Sequence, residues 1–383
     1  MSIYLDNAAT SFPKPETVYQ AVDQAQRQLG ANPGRGGHRL ALAGARLVFE
    51  TREALAEFFG INDSSRIAFT NNATSALNQA LFGLLQPGDR VVTSSMEHNS
   101  VTRPLRVLHE RGVQVVKVAA DSFGRIDPAE LRKACSTPTR LVVLSHCSNV
   151  TGTLQPLEQI GPWCRKQGIL LLVDAAQSAG IFPLQVEALG IDLLAVPGHK
   201  GLLGPLGTGM LYVRPGLQLT PLMYGGTGGS SASDLPIDEM PDRLECGTLN
   251  ATGLAGLKAG VEYLQAQGIN QLRALEVALM KQLIDGLRQI AGVDLYGPLD
   301  PSHHGAVLSF NLQGVDPAEL GYRLDHDFDI LVRVGLHCSP DAHRSIGTFP
   351  RGTVRVSPGH FNTSADISHL LAAVAALAAE SRT

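Results

Sequence analysis

Short apolar runs alternate along this chain with longer segments in which apolar positions recur every three to four residues. RLVVLS at 140–145, LLLVD at 170–174 and IDLLAV at 191–196 are too short and too continuous for amphipathic helices. They read as strands buried on both faces. RIAFT (66–70), DRVVTSS (89–95) and VQVVKVA (113–119) read the same way. Helical patterns cover about 16–29, 40–59, 127–136 and 157–167, and polar turns at NNATS and MEHNS also lead into helices. In the 40–59 segment, Leu40, Ala43, Leu47, Ala54, Leu55 and Phe58 can share one broad face. This alternation has the spacing of βαβ units and predicts a mostly parallel sheet. GMLYV at 209–213 is expected to be an antiparallel edge strand.

Two long helices are predicted beyond this, over about 251–267 and 270–290. A smaller α+β unit follows, with strands near VDLYG, AVLSFNL, ILVRVG and TVRVSP and helices near 316–325 and 365–379. The expected organisation is an arm over 1–14 on the small-domain side, a large domain over 15–265 and a small domain over 266–383. The loops NPGRGGHR, with Arg35 and His38, and 225–233 are glycine-rich and polar.

Composition excludes several classes. A hydrophobic fraction of 44% with 40 glycines and 22 prolines in 383 residues suits a well-buried α/β protein with many tight turns. The formal net charge of -4, without a basic block, argues against a nucleic-acid partner. No apolar run is long enough to span a membrane, and MSIYLDNAAT lacks the parts of a signal peptide, so the expectation is cytoplasmic. Five widely spaced cysteines are not a disulfide scaffold or a zinc site. Cys135, Cys147 and Cys164 read as small core or helix residues.

Chemistry gathers at two strand ends. Asp174 closes one apolar run, and His199 and Lys200 follow another. Open α/β sheets collect ligands outside the carboxyl ends of their strands. An amine and an acid delivered there suit pyridoxal phosphate (PLP): Lys200 as its Schiff-base partner, Asp174 on the pyridine nitrogen. The alternative is an ordinary salt bridge at the sheet rim. Gln177 is within reach of the ring's phenolic oxygen, or is an exposed amide at a helix start. Thr74 and Ser75 could bind phosphate at a helix N-terminus or simply cap it. His98 follows a strand and could stack on a flat ring or cap the turn. In RVGLHCSPDAHRS a strand ends near Arg333, and Cys338 lies in a polar loop beside His337 with Arg344 near by. It could be an activated thiolate or an inert surface thiol. Arg355, ending the next strand, could grip a carboxylate or form a surface salt bridge.

With these residues in place, YLDNAAT, NATSALN, EHNS, SNVTG, DAAQSAG, PGHKG, RVGLHC and RVSPGHFNT resemble, in order and over essentially the full length, the class V aminotransferase-fold PLP enzymes. The nearest resemblance is to the cysteine desulfurase family, in the short-loop group of SufS-like and selenocysteine lyase-like proteins. This implies a PLP-dependent transferase fold of type I, aspartate aminotransferase-like, with a mostly parallel large-domain sheet and a small α+β C-terminal domain. It implies conversion of L-cysteine to L-alanine with sulfur passed to a persulfide on Cys338, in a homodimer with a sulfur-acceptor protein as further partner. Selenocysteine lyase or cysteine sulfinate desulfinase is the nearest alternative. An aminotransferase, an epimerase or a non-catalytic scaffold is more remote.

Carried over residue by residue, the resemblance makes Lys200, Cys338 and His98 catalytic. It makes Ala73, Thr74, His98, Asn149, Asp174, Gln177, His199, Lys200 and Thr248 cofactor-binding, Thr248 toward the phosphate of the neighbouring subunit. It makes Asn7, Ala8, His38, Asn149, Arg333 and Arg355 substrate-binding. No metal is expected. One departure stands out. Pro197 occupies a position where the family often carries a phosphate-binding serine, and proline has neither hydroxyl nor N–H.

Overall fold

The computed structural model describes residues 2–34, 36–227 and 237–381. In chain order the elements begin with β1 (Ile3–Tyr4), α1 (Glu16–Gln28), α2 (Arg39–Phe59), β2 (Ile67–Thr70), α3 (Ala73–Leu84), β3 (Arg90–Ser94) and α4 (Asn99–Glu110). Next come β4 (Gln114–Val118), α5 (Pro128–Ala134), β5 (Leu141–Ser145), α6 (Leu157–Gln167), β6 (Leu170–Asp174), β7 (Leu193–Pro197) and β8 (Gly209–Val213). The C-terminal part holds α7 (Ala251–Gln267), α8 (Ile269–Arg288), β9 (Val293–Tyr296), β10 (Leu308–Leu312), α9 (Pro317–Phe328), β11 (Ile330–Leu331), β12 (Arg333–Gly335), α10 (Pro340–Ser345), β13 (Thr353–Val356) and α11 (Ser364–Glu380).

The seven-stranded sheet has the order β2-β8-β7-β6-β5-β3-β4. Every neighbouring pair from β7 to β4 is parallel, and β8 is antiparallel to both of its neighbours. The uninterrupted apolar runs explain themselves here, since β5, β6, β7 and β8 are buried at every residue.

One strand expectation needs correction. GMLYV is antiparallel but internal, and β2 forms the edge. A buried ion pair closes that edge in place of another strand. Arg52 and Glu245 meet at 2.7 and 3.1 Å. Arg52 also donates to Ile67 O, and Glu245 accepts the Phe69 N–H. The exposed backbone groups that invite strand addition are thereby satisfied by side chains.

Hydrophobic packing forms two main bodies. Helices α2, α6 and α7 cover one face of the large sheet with Leu55, Phe59, Ile160, Leu257 and Val261, while α3 and α4 cover the other with Leu77, Leu81, Val101 and Leu105. The second body joins Leu5 of the arm to α8, α9, α11, β10 and β13. The arm reaches it by parallel pairing of β1 with β11 and an Asp6–Ser357 bridge. The four-stranded antiparallel sheet β12-β13-β10-β9 forms its floor. A strand ending near Arg333 is also corrected: β11 stops at Leu331, and Arg333 opens β12. Arg35 and most of the 225–233 loop lie outside the described residues. Among the described residues no helix is long and apolar enough to cross a membrane.

Candidate active site

Adjacent parallel strands β6 and β7 deliver the central pair. Asp174 faces Ala195 in register, and Lys200 comes three residues after the end of β7. The two following loops touch backbone to backbone. A Cβ on Gly180 (φ 81°) would lie 2.2 Å from Gly201 O, and one on Gly201 2.2 Å from Ala179 O. Only glycine allows this approach. Gln177 therefore lies in a tight turn, not at a helix start. Its amide is buried and donates to Ala8 O at 3.0 Å, which draws the N-terminal arm to the cavity.

One cavity is lined by Ala73, Thr74, His98, Asn149, Asp174, Gln177, Pro197, His199 and Lys200, with Asn72, Ser100, Ser145, Cys147 and Ala176 between them. Nine residues read from the sequence thus share one space. Asp174 and Lys200 line it together without an ion pair, which rejects the simple salt bridge. Asp174 is buried, and its Oδ1 accepts the Ala176 N–H at 2.9 Å. Burial raises its pKa, opposed by that hydrogen bond and by Lys200. Burial pulls the Lys200 amine down to about 8, assisted by the positive charges of Arg355 and Arg333 and opposed by Asp174. A lysine so shifted is roughly one-tenth neutral at pH 7, several-hundred-fold more than an ordinary lysine, which is what a base or nucleophile requires.

The polar turn NNATS places its cap two residues before the first of the hydroxyls. Asn72 caps α3, accepting the Ser75 N–H at 2.9 Å. Thr74 is exposed at the first turn, with its hydroxyl uncommitted to capping. His98 both caps and lines the cavity. Its Nδ1 accepts the Ser100 N–H at 3.1 Å, so the neutral ring carries its proton on Nε2. Burial and the charge of Lys200 lower its pKa to about 4.

Cys147 is buried as expected but also lines this cavity. Burial pushes its thiol up to about 12, which keeps it protonated and unreactive.

In the small body, β12 and β13 place Arg333 directly opposite Arg355. Arg355 is buried and makes an ion pair, but not on the surface. It donates to Asp6 Oδ1 at 2.6 Å and to Asn149 O at 3.1 Å, while its Nε has no partner. Asn7 and Ala8 line a second cavity that reaches Lys200 from the arm side. Cys338 is exposed between two buried neighbours, His337 and Ser339. Both His337 (φ 48°) and Cys338 (φ 60°) adopt left-handed backbone. Such residues cost on the order of 1–3 kcal/mol each and persist where the surroundings hold them. Arg344 does not attend the thiol. It pairs with Asp341 at 2.7 Å and lies 4.0 Å over the Phe349 ring.

Five expected residues line neither cavity: Arg333, Arg355, Cys338, His38 and Thr248, although Arg355 reaches Asn149 on the wall of the first. His38 caps α2, accepting the Ala41 N–H at 3.4 Å. Thr248 lines a neighbouring groove with Thr74 and Asn78, and accepts from Asn32 at 3.1 Å. Three residues escaped sequence reading: Asp6, Ser339 and Glu97. Glu97 is fully buried and receives Ser94 Oγ–H at 2.6 Å, Ser145 Oγ–H at 2.8 Å and Ser145 N–H at 2.9 Å, with no cation beside it. Burial raises its pKa to about 7, with Asp174 adding to the effect. The EHNS sequence shows an acid after a strand but not that the strand turns it inward.

The cavity fits PLP on this chain's own features. His199 has a buried Nδ1 without a partner, the Thr74 hydroxyl stands at a helix start, and the Lys200 amine shares the cavity with the acid Asp174. A profile of aminotransferase class-V proteins matches residues 3–370. A probable cysteine desulfurase from Methanothermobacter thermautotrophicus is 39% identical over 374 residues, 96% of this chain and 92% of that protein. A cysteine desulfurase from Haloferax volcanii is 30% identical over 97% of this chain and 88% of its own. The chain belongs to the cysteine desulfurase family of class-V aminotransferases. Among solved structures, the cysteine desulfurase of Thermococcus onnurineus superposes with a TM-score of 0.93 at 34% identity, covering 99% of this chain and 95% of that one. Escherichia coli CsdA, a cysteine desulfurase solved in an S-sulfonic acid form, gives 0.89 at 30% identity, with 99% and 95% covered. The fold is the type I PLP-enzyme fold, and PLP is the family's cofactor.

Proposed function

We propose that this protein is a PLP-dependent cysteine desulfurase in which Lys200 and Asp174 hold the cofactor, Arg355 holds the substrate carboxylate and Cys338 accepts the sulfur. The observation that carries the reading is an exposed thiol on a left-handed loop, set on the small body whose Arg355 bonds to Asn149 on the wall of the cavity holding Lys200 and Asp174.

Asp174 would sit on the pyridine nitrogen, and Ala73, Thr74 and His199 would hold the phosphate. His98 would stack on the ring and Gln177 would meet its phenolic oxygen. When bound, PLP supplies an electron sink for the pair released at the substrate α-carbon. Arg355, with Arg333 beside it, would bind the carboxylate, and its free Nε is an unused donor for this. The Lys200 amine would take the α-proton on Nζ. The Cys338 thiolate then attacks the substrate sulfur. One S–S bond forms as the C–S bond breaks, and one of the two thiol protons ends on the new methyl group. L-Cysteine and a thiol become L-alanine and a persulfide, with every atom accounted for.

Thr248 and His38 lie outside the cavity, and exposed apolar side chains adjoin both: Leu42, whose N–H bonds to His38 O, and Met223, which lines the groove with Thr248. This supports a homodimer whose partner subunit brings these residues to the shared site. A sulfur-acceptor protein would then discharge Cys338.

The test pairs two variants of the cofactor-loaded protein. Lys200→Ala should lose the cofactor's visible band, with alanine formation falling on the order of 10³-fold. Cys338→Ala should keep the band but form neither persulfide nor alanine from cysteine. Full-rate alanine production by Cys338→Ala would refute the sulfur-transfer assignment.

A further inference from the structure

The loop carrying Cys338 is held by contacts that leave its thiol alone. Asn149 donates from Nδ2 to His337 O at 2.6 Å and accepts on Oδ1 from the Ser339 hydroxyl at 2.8 Å. One amide thus grips the residue on each side of the cysteine. The Cys338 carbonyl accepts the Asn99 N–H at 2.8 Å, from the first residue of the helix that His98 caps. The ring of His337 meets Thr353 at 3.0 Å. Ser339 and His337 are buried while Cys338 is exposed. Left-handed backbone at two successive non-glycine residues needs such over-determination to persist.

Asn149 is also tied to the substrate side, because its backbone carbonyl accepts from Arg355 Nη1 at 3.1 Å. A single residue therefore touches the loop of the thiol, the cofactor cavity and the arginine proposed for the carboxylate.

We propose that Ser339 and Asn149 form a clamp that fixes the Cys338 loop and thereby sets where the thiol stands relative to bound substrate. Ser339 is a positioning residue, acting through Asn149 and the loop backbone. The inference rests on the sulfur-accepting role proposed for Cys338. It adds that the thiol's placement is built by hydrogen bonds on both flanks, not by the thiol's own surroundings.

The clamp predicts a split between substrates. Cysteine needs a placed thiol to accept its sulfur. Cysteine sulfinate releases an oxidised sulfur anion that needs no thiol acceptor. In the cofactor-loaded Ser339→Ala variant, kcat for alanine from cysteine should fall at least tenfold with KM nearly unchanged. Persulfide formation on Cys338 in a single turnover, read by intact mass, should slow by the same factor. Alanine from cysteine sulfinate and the cofactor's visible band should not change. Equal losses with both substrates, or no loss with either, would overturn the clamp. If Ser339→Ala does not fold, Ser339→Gly, which leaves room for a water at the lost hydroxyl, carries the same comparison. Cys338→Ala run in parallel separates the two ideas. If it still turns over cysteine, the sulfur-transfer reading fails. If it does not, while Ser339→Ala is unimpaired, only the clamp fails.

Discussion

Lys200 and Cys338, the two nucleophiles of the proposed site, are delivered in opposite ways. Lys200 stands three residues beyond a fully buried strand, and its loop is wedged against the Asp174 turn by two glycines in backbone contact. Cys338 stands on a loop of the small body, exposed, with two left-handed residues in succession. The lysine is placed by the core of the large sheet. The cysteine is placed by side-chain hydrogen bonds from residues as distant in sequence as Asn149. A group that stores a cofactor benefits from rigidity. A group that takes sulfur from one molecule and passes it to another must be reachable from outside.

Arg355 connects the two regions, and altering it gives the largest effect in this comparison. Arg355→Lys keeps the charge but loses the planar fork that can hold Asp6 and a substrate carboxylate together. The catalytic efficiency for cysteine should fall about 30- to 100-fold, roughly 2–3 kcal/mol, mostly through KM. Steady-state kinetics check this. If kcat falls instead while KM is unchanged, Arg355 serves the loop of Cys338 and not the substrate.

The two regions also differ in how much the sequence revealed. The lysine side was legible because buried parallel strands write themselves as uninterrupted apolar runs, and their ends mark the site. LLLVD and IDLLAV predict where Asp174 and Lys200 stand before any resemblance is invoked. The same logic misplaced GMLYV, because the Arg52–Glu245 pair that closes the true edge joins residues 193 positions apart. The cysteine side was legible only through motif resemblance. Nothing in LHCSP announces left-handed backbone at His337 and Cys338, or that Ser339 turns inward to Asn149. Glu97 was invisible for a similar reason: its burial depends on Ser94 and on Ser145 of another strand.

Glu97 is the next test of the rigid side. Its folded pKa of about 7 exceeds the ordinary value of 4.5 because it is buried without a cation. The folded protein therefore holds a proton that the unfolded chain releases. This contribution to stability is full below about pH 4.5 and is lost as pH rises through about 7. The loss is on the order of 3 kcal/mol across that window. Glu97→Gln cannot titrate and should flatten this part of the stability profile, measured by denaturant unfolding of the cofactor-free protein from pH 4.5 to 8. An unchanged slope would mean that Glu97 stays ionised throughout, with the two serines and one backbone N–H stabilising the charge.

The smallest effect should come from Pro197, at the end of β7 and on the wall of the cofactor cavity. Proline offers no donor there, so the phosphate must rely on the first turn of α3 and on His199, whose Nδ1 is buried and unpartnered. Pro197→Ser adds one hydroxyl donor toward an anion without moving Lys200, since β7 is fixed by pairing on both sides. A single such bond contributes about 1 kcal/mol net, or roughly fivefold in the cofactor's dissociation constant. Titrating cofactor-free protein and following the visible band would show tighter binding, with alanine formation at saturating cofactor unchanged. No gain from the new hydroxyl would mean that the existing donors already satisfy the phosphate. The rigid side of the site would then have replaced the missing serine from within this chain or its partner.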